Sequence, residues 1–232
     1  MDGSMVVSII GIAASYLLGA VPFGFIIAKV FKGVDVREHG SGNIGATNVG
    51  RVLGRKWGVL ALVLDIAKGF GPAALAALAL GEFSLGGTCP SVTVVLCGAA
   101  AICGHIWPVY LRFKGGKGVA TSCGVLLYLE PVGTIVASAV WVAAVLIWRY
   151  VSLGSILAAL TLVAYVLVMA PRRGGNALPL IVFAFLMAAI VIIRHKSNIK
   201  RLLNGTENRV GGKKEENDKP TDAGPSPPSE EK

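Results

Sequence analysis

Acidic side chains are scarce in this chain: residues 1–210 hold seven Asp or Glu against 18 Lys or Arg. Charge of any kind is scarce as well, at 15% of residues against 54% apolar, and the mean hydropathy is +0.68. An ordinary soluble domain is excluded by that balance, and a polytopic all-α membrane protein fits it. The basic residues lie between hydrophobic runs rather than on an open face, which excludes nucleic acid as a partner. They fit cytoplasmic loop bias and anionic substrates or lipid headgroups instead. Cysteine offers little: Cys89, Cys97, Cys103 and Cys123 form no CxxC pair, and three lie in apolar runs where a thiol behaves as a small hydrophobe. No metal site and no disulfide is expected. No basic region precedes the first apolar run and no convincing cleavage site follows it, so that run reads as a retained span.

Against this background the polar stretches stand out. The first, Arg37 to Arg51, contains Gly40-Ser-Gly-Asn-Ile-Gly-Ala-Thr-Asn48 and is bracketed by arginine. Glycine permits positive φ and close backbone approach, and successive N–H groups in such a turn form an anion-binding concavity. Ser41, Gly42, Asn43, Thr47, Asn48 and Arg51 are therefore candidates for binding a phosphate-bearing ligand, although a flexible connector would share the glycines. The second stretch reads Tyr110-Leu-Arg-Phe-Lys-Gly-Gly-Lys-Gly-Val119. It is not a Walker loop, because Lys117 is followed by Gly118 rather than Ser or Thr. A Gly-Gly-Lys-Gly turn opening a helix still gathers exposed N–H groups, the positive helix end and two lysines, so Lys114, Gly116, Lys117 and Gly118 are candidates for a phosphate cradle; a positive-inside anchor would explain Arg112 and Lys114 but not the three glycines. In the third, Arg194 to Glu207, helical spacing places Arg194, Asn198 and Arg201 on one face with His195 nearby. His195 there could bind phosphate or shuttle protons; a plain basic collar would look similar.

The apolar runs are read as seven crossings: 5–28, 57–80, 92–109, 119–130, 131–148, 153–170 and 178–193. A hydrocarbon core of ~30 Å takes about 20 helical residues. Pro22 and Gly24 are expected to kink the first run. Glu130-Pro131 divides 119–148 and leaves a short first piece that crosses or dips and returns. Asp65 and Lys68, three apart in the second span, are a functional or helix-fixing pair. With Asp2 before the first span and Lys29 and Lys32 after it, the N-terminus is placed outside. Seven crossings then put the C-terminus and all three polar loops in the cytoplasm. Arg172 and Arg173 in an outer loop run against that rule. His105 and Trp107 either line an apolar groove or pack. Residues 1–208 form one integral membrane domain, and 209–232 read as a disordered charged tail.

Taken together, the three motifs and Leu64-Asp-Ile-Ala-Lys-Gly69 resemble the bacterial acyl-phosphate:glycerol-3-phosphate acyltransferases, the PlsY family, over residues 5–208. The resemblance implies acyl transfer from acyl phosphate to the 1-hydroxyl of glycerol 3-phosphate, giving lysophosphatidic acid and phosphate. It implies Ser41 and Arg51 as essential groups, Gly116, Lys117 and Gly118 as the glycerol 3-phosphate loop, His195 and Asn198 as supporting activity, and Glu207 as mainly structural; Asp65, on the intramembrane-pair reading, is also counted as structural. Lys68 is counted with the binding residues. None of His39, His105 and His195 is followed five residues later by Asp, so the His-Asp arrangement of acyl-CoA-using glycerolipid acyltransferases is missing. Substrate-assisted proton removal, without metal or cofactor, is favoured over an acyl-Ser41 intermediate, which has no base adjacent in sequence. His195 or a substrate phosphate oxygen would take the proton. The expected setting is a monomer among membrane lipid in the bacterial inner membrane. The competing class is a transporter of a phosphorylated solute, against which stands the absence of a polar cluster on the other face. The Asp-rich metal motif of CDP-alcohol transferases is absent.

Overall fold

The computed structural model describes residues 3–82, 91–173 and 177–211, and every regular element among them is helical. The loop at Gly86–Pro90, Cys89 and the tail from residue 212 lie outside the described residues.

Ten α-helices follow in order: α1 Gly3–Ala20, α2 Phe23–Lys32, α3 Ala46–Leu53, α4 Arg55–Ala79, α5 Val92–Ile106, α6 Val119–Leu129, α7 Pro131–Trp148, α8 Val151–Arg173, α9 Leu178–Arg194 and α10 Lys196–Leu203. Five stretches are long and apolar enough to cross a membrane, and α9 with α10, bent by 58°, makes a sixth. The eleven-residue α6 is the short apolar piece expected from the sequence. Large side chains such as Leu146, Ile147, Leu78 and Val168 stay exposed on the outside of the bundle, as a lipid-facing surface requires.

The helix breaks follow from residue chemistry. Pro22 cannot donate to a helical carbonyl, so α1 ends and α2 begins around it. The Val21 carbonyl at that break accepts a 2.7 Å hydrogen bond from Lys68 Nζ of α4. The same carbonyl accepts the Phe23 amide at 3.1 Å, and the lysine adds a charge-assisted bond where the helical ladder is interrupted. The second break is at Glu130, between α6 and α7, with Pro131 opening α7. There Thr134 Oγ1 donates to the Glu130 carbonyl at 2.7 Å. Arg172 and Arg173 end α8 instead of lying in a separate loop, because the helix runs on through Pro171.

Within lipid, helices associate through close packing of small residues rather than through a hydrophobic gain. Two such seams build the bundle. Along α1 and α5, Gly19 faces the Ala101 backbone and Gly104 faces Tyr16 and Ala20. Along α4 and α6, Gly69 faces the Thr121 carbonyl and Gly124 the Ile66 carbonyl. Side chains at these four positions would overlap backbone atoms. The seams hold α6 tightly on α4, while α7, α8 and α9 pack as the other wall. Between the two walls a cavity remains.

Candidate active site

The cavity has a volume of about 340 Å³ and two chemically distinct ends. Its polar end collects all three polar stretches of the sequence: Ser41, Asn43, Thr47, Asn48 and Arg51 from the first, Lys117 and Gly118 from the second, and His195, Asn198 and Glu207 from the third. The other end is lined by apolar residues of α4 and α6–α9, among them Ile66, Leu126, Trp141, Leu162 and Met187.

Asn48 organises the first stretch. Only 2% exposed, it directs Nδ2 at the carbonyls of Val36, His39 and Asn43 at 2.9–3.0 Å, and its Oδ1 accepts from the Ser41 amide at 2.8 Å. A backbone this irregular would otherwise hold several buried groups without partners. Asn43 Oδ1 accepts from the Gly45 amide at 2.8 Å and turns the chain into α3. Arg51 then projects from α3 into the cavity. Arg37, by contrast, is paired with Asp35 at 2.6 Å and lies over the Phe25 ring; it does not line the cavity.

A hydrogen-bonded chain ties the second and third stretches together. Lys117 Nζ donates to Asn198 Oδ1. Asn198 Nδ2 donates to Glu207 Oε1 at 2.6 Å. Glu207 also accepts from Ser152 Oγ at 2.8 Å and from Arg201 Nε at 2.7 Å. Burial would raise the Glu207 carboxyl, but the bonds from Asn198, Arg201 and Ser152 outweigh it and hold it below the usual carboxylate range. Lys117 responds in the opposite sense: burial, with Arg201, Arg194 and Arg51 nearby, pushes its ammonium down to about 8 despite Glu207. The buried His195, beside Lys117, is pushed down to about 4. Its Nδ1 lies 2.7 Å from the Val191 carbonyl. A neutral ring must donate there, leaving Nε2 as the acceptor.

Not every sequence candidate reaches the cavity. Lys114 is exposed on the surface and does not line it, because Phe113 and Arg112 turn the chain with positive φ just before. Lys68 is buried but engaged elsewhere, 2.9 Å from Asp65 and bonded to Val21. Gly42 and Gly116 support the loops from behind, Gly42 through its amide to the His39 carbonyl and Gly116 through its amide to the His105 carbonyl, both at 3.1 Å. Asp65 does reach the cavity wall, together with His105. Trp107 does not line it; the apolar end is built from α6–α9 instead.

Two arginines join the site without having been counted among its residues. Arg201 lines the polar end, and its spacing from Asn198 on one helical face was the available signal. Arg194 Nη2 donates to the Gly116 and Gly115 carbonyls at 2.9 and 3.3 Å, a contact between remote elements that spacing does not reveal. Among the described residues no cluster of His, Cys, Asp or Glu could hold a metal ion.

Comparison with known proteins places this geometry. The sequence model of the glycerol-3-phosphate acyltransferase family matches residues 9–205. A glycerol-3-phosphate acyltransferase of Desulforudis audaxviator (strain MP104C) is 46% identical over 215 residues, covering 92% of this chain and all of that protein. One from Trichlorobacter lovleyi (strain ATCC BAA-1151 / DSM 17278 / SZ) is 45% identical over 205 residues, 88% of this chain and 98% of its own. Two crystal structures of PlsY, an integral membrane glycerol 3-phosphate acyltransferase, superpose closely. The glycerol 3-phosphate form gives a TM-score of 0.78 at 42% identity, covering 88% of this chain and 96% of that one. The lysophosphatidic acid form gives 0.76 at 41% identity, covering 88% and 95%.

Proposed function

The chain belongs to the glycerol-3-phosphate acyltransferase family, and from that premise we propose that it moves a fatty acyl group from acyl phosphate to the 1-hydroxyl of glycerol 3-phosphate. The C–O bond to the hydroxyl forms, the anhydride C–O bond breaks, and lysophosphatidic acid and inorganic phosphate leave. The observation that carries the reading is the two-ended cavity: cations and loop amides at one end suit phosphates, and the apolar end between α6 and α9 suits an acyl chain.

Acyl phosphate is already activated, so the protein's task is to bring two anions together and align them. Arg51, Lys117, Arg201 and the amides near Gly118 supply the counter-charge, and alignment alone is worth roughly 7–11 kcal/mol. Ser41, with its amide fixed by Asn48, offers a hydroxyl to the carbonyl oxygen as negative charge develops there. His195, Asn198, Asn43 and Thr47 complete the hydrogen bonding around the substrates. The proton of the 1-hydroxyl goes to a substrate phosphate oxygen. A phosphate monoester has its second pKa near 6, whereas His195 is held at about 4. His195 Nε2 instead orients the hydroxyl. The chemistry calls for no metal or cofactor.

Parity supports seven crossings. The turn before α6 and the segment after α9 line one cavity, so they lie on one side of the membrane and an even number of crossings separates them. Helices α7, α8 and α9 supply three, and α6 is the fourth. By the positive-inside rule that side is the cytoplasm, which places the N-terminus outside and the enzyme, acting as a monomer, in the bacterial inner membrane.

The test is acyl transfer by purified protein without added metal, supplying glycerol 3-phosphate with palmitoyl phosphate or palmitoyl-CoA, alongside Ser41→Ala and Arg51→Ala. Lysophosphatidic acid formed from the acyl phosphate only, and lost in both variants, is the expected result. Turnover with the thioester alone would overturn the donor, and no transfer from either by folded protein would overturn the function.

A further inference from the structure

A cluster of three buried titratable side chains lies just behind the polar end, outside the bonds described between the substrate loops. Asp65, Lys68 and His105 are 1%, 6% and 4% exposed. Lys68 is accounted for, since it bonds the Val21 carbonyl at the α1–α2 break. Asp65 is its ion-pair partner at 2.9 Å. His105 is not accounted for: its Nδ1 lies 3.7 Å from Asp65 Oδ1, beyond hydrogen-bond distance, and both residues line the cavity.

The other side of the His105 ring meets the glycine-lysine turn. A Cβ built on Gly116 would collide with His105 Nε2, and one on Gly115 would collide with the His105 carbonyl. That carbonyl already accepts the Gly116 amide at 3.1 Å. Arg194 holds the opposite edge of the same two residues through their carbonyls. The turn is thus gripped between α5 and α9, with the Nε2 edge of the imidazole against Gly116, the residue that precedes Lys117. Gly118, two residues further on, has φ +82° and caps α6.

We propose that His105 is a positioning residue for glycerol 3-phosphate: the Nε2 edge of its ring and its carbonyl fix Gly116 and so aim Lys117 and the Gly118 amide at the substrate phosphate. This rests on the function given above. His105 touches no substrate in this scheme; it acts through the turn. Loss of the ring contact therefore weakens glycerol 3-phosphate binding while leaving acyl phosphate binding and the chemical step nearly intact.

The experiment measures KM for each substrate and kcat in His105→Ala, His105→Gln, Gly116→Ala and the His105→Ala/Gly116→Ala double variant, with wild type and thermal unfolding in parallel. Expected are a rise of about tenfold or more in KM for glycerol 3-phosphate in His105→Ala with kcat within about threefold, and an unchanged KM for acyl phosphate. His105→Gln, which restores a polar group against Gly116, recovers most of the loss. The double variant is no worse than Gly116→Ala alone, because the added methyl now has room; residues in contact are non-additive in this way. Equal loss of both substrates, a fall in kcat alone, or additive single variants would overturn the proposal. So would an unchanged KM for glycerol 3-phosphate in Gly116→Ala, a variant that also serves if His105→Ala does not fold. Inactive wild type would instead count against the proposed reaction, which keeps the two failures apart.

Discussion

Lys117 makes the pH profile of this protein a direct test of the site. Its ammonium titrates at about 8 rather than at the ordinary 10.5 because burial and three arginines penalise the charge. A group with pKa 8 is about 90% protonated at pH 7 and about 10% at pH 9. If the cation holds the substrate phosphate, kcat/KM for glycerol 3-phosphate falls about tenfold between those pH values, because that ratio reports the free enzyme. An unperturbed lysine would lose only a few per cent over the same interval. Lys117→Arg keeps its charge throughout, so its kcat/KM, even if lower, stays flat to pH 9. Unfolding predicts the opposite trend for this residue. The folded pKa is depressed, so between about 8 and 10.5 the unfolded chain binds the extra proton and this group's contribution to stability rises with pH. Steady-state assays from pH 6.5 to 9.5, varying glycerol 3-phosphate at saturating acyl phosphate, with donor hydrolysis subtracted, provide the measurement. A wild-type profile flat to pH 9, or an Arg variant that falls in parallel with wild type, would refute the assignment.

Other expectations follow from the same geometry. Asn48→Ala removes four hydrogen bonds of the first loop, each worth about 1 kcal/mol; activity should fall at least tenfold and the thermal midpoint with it, as assay and melting curve would record. Glu207→Gln removes the charge that pairs with Arg201 and keeps the shape. At about 2 kcal/mol for a charge-assisted bond, a rise of about 30-fold in KM for glycerol 3-phosphate is expected in titrations of the variant, smaller at high salt if the effect is electrostatic. In the α4–α6 seam Gly124→Ala meets the Ile66 carbonyl, whereas a methyl at Gly71 of α4 meets nothing within 4 Å. Thermal unfolding should show the first destabilised by about 1–3 kcal/mol and the second unchanged.

The sequence made much of this architecture legible, for reasons that particular residues explain. Spans declare themselves by apolar length, and Pro22 and Pro131 sit at the breaks, whereas α4 and α8 run on through Pro72 and Pro171. The polar stretches were legible because polar, glycine-rich backbone among apolar runs has few structural uses. Local pattern could not say which lysine faces the site. Lys68 and Lys117 both neighbour glycine, yet one is claimed by the Val21 carbonyl and the other by Asn198, partners 47 and 81 residues away. Lys114 sits three residues from Lys117 but is turned outward by the positive φ of Arg112 and Phe113. The apolar end of the cavity had no signature at all, since Leu126 and Met187 look like any other residues of a lipid-soluble helix.

The shortness of α6 governs where the reaction takes place in depth. Eleven residues make a helix of only about 16 Å, roughly half the ~30 Å thickness of the hydrocarbon core. The turn that opens α6 abuts His105, beside Asp65, and Asp65 lies ten residues into α4, about 15 Å from the start of that helix. The meeting point of phosphate and acyl chain is therefore sunk well below the level at which α4 begins. A water-soluble reactant must descend to reach it, while a fatty one can stay at the depth where its tail already resides. Lys117, in the turn that opens α6, is mostly buried there, and its charge acts through a poorer dielectric than at the surface. The protein thus brings the aqueous partner to the lipid, not the lipid to water.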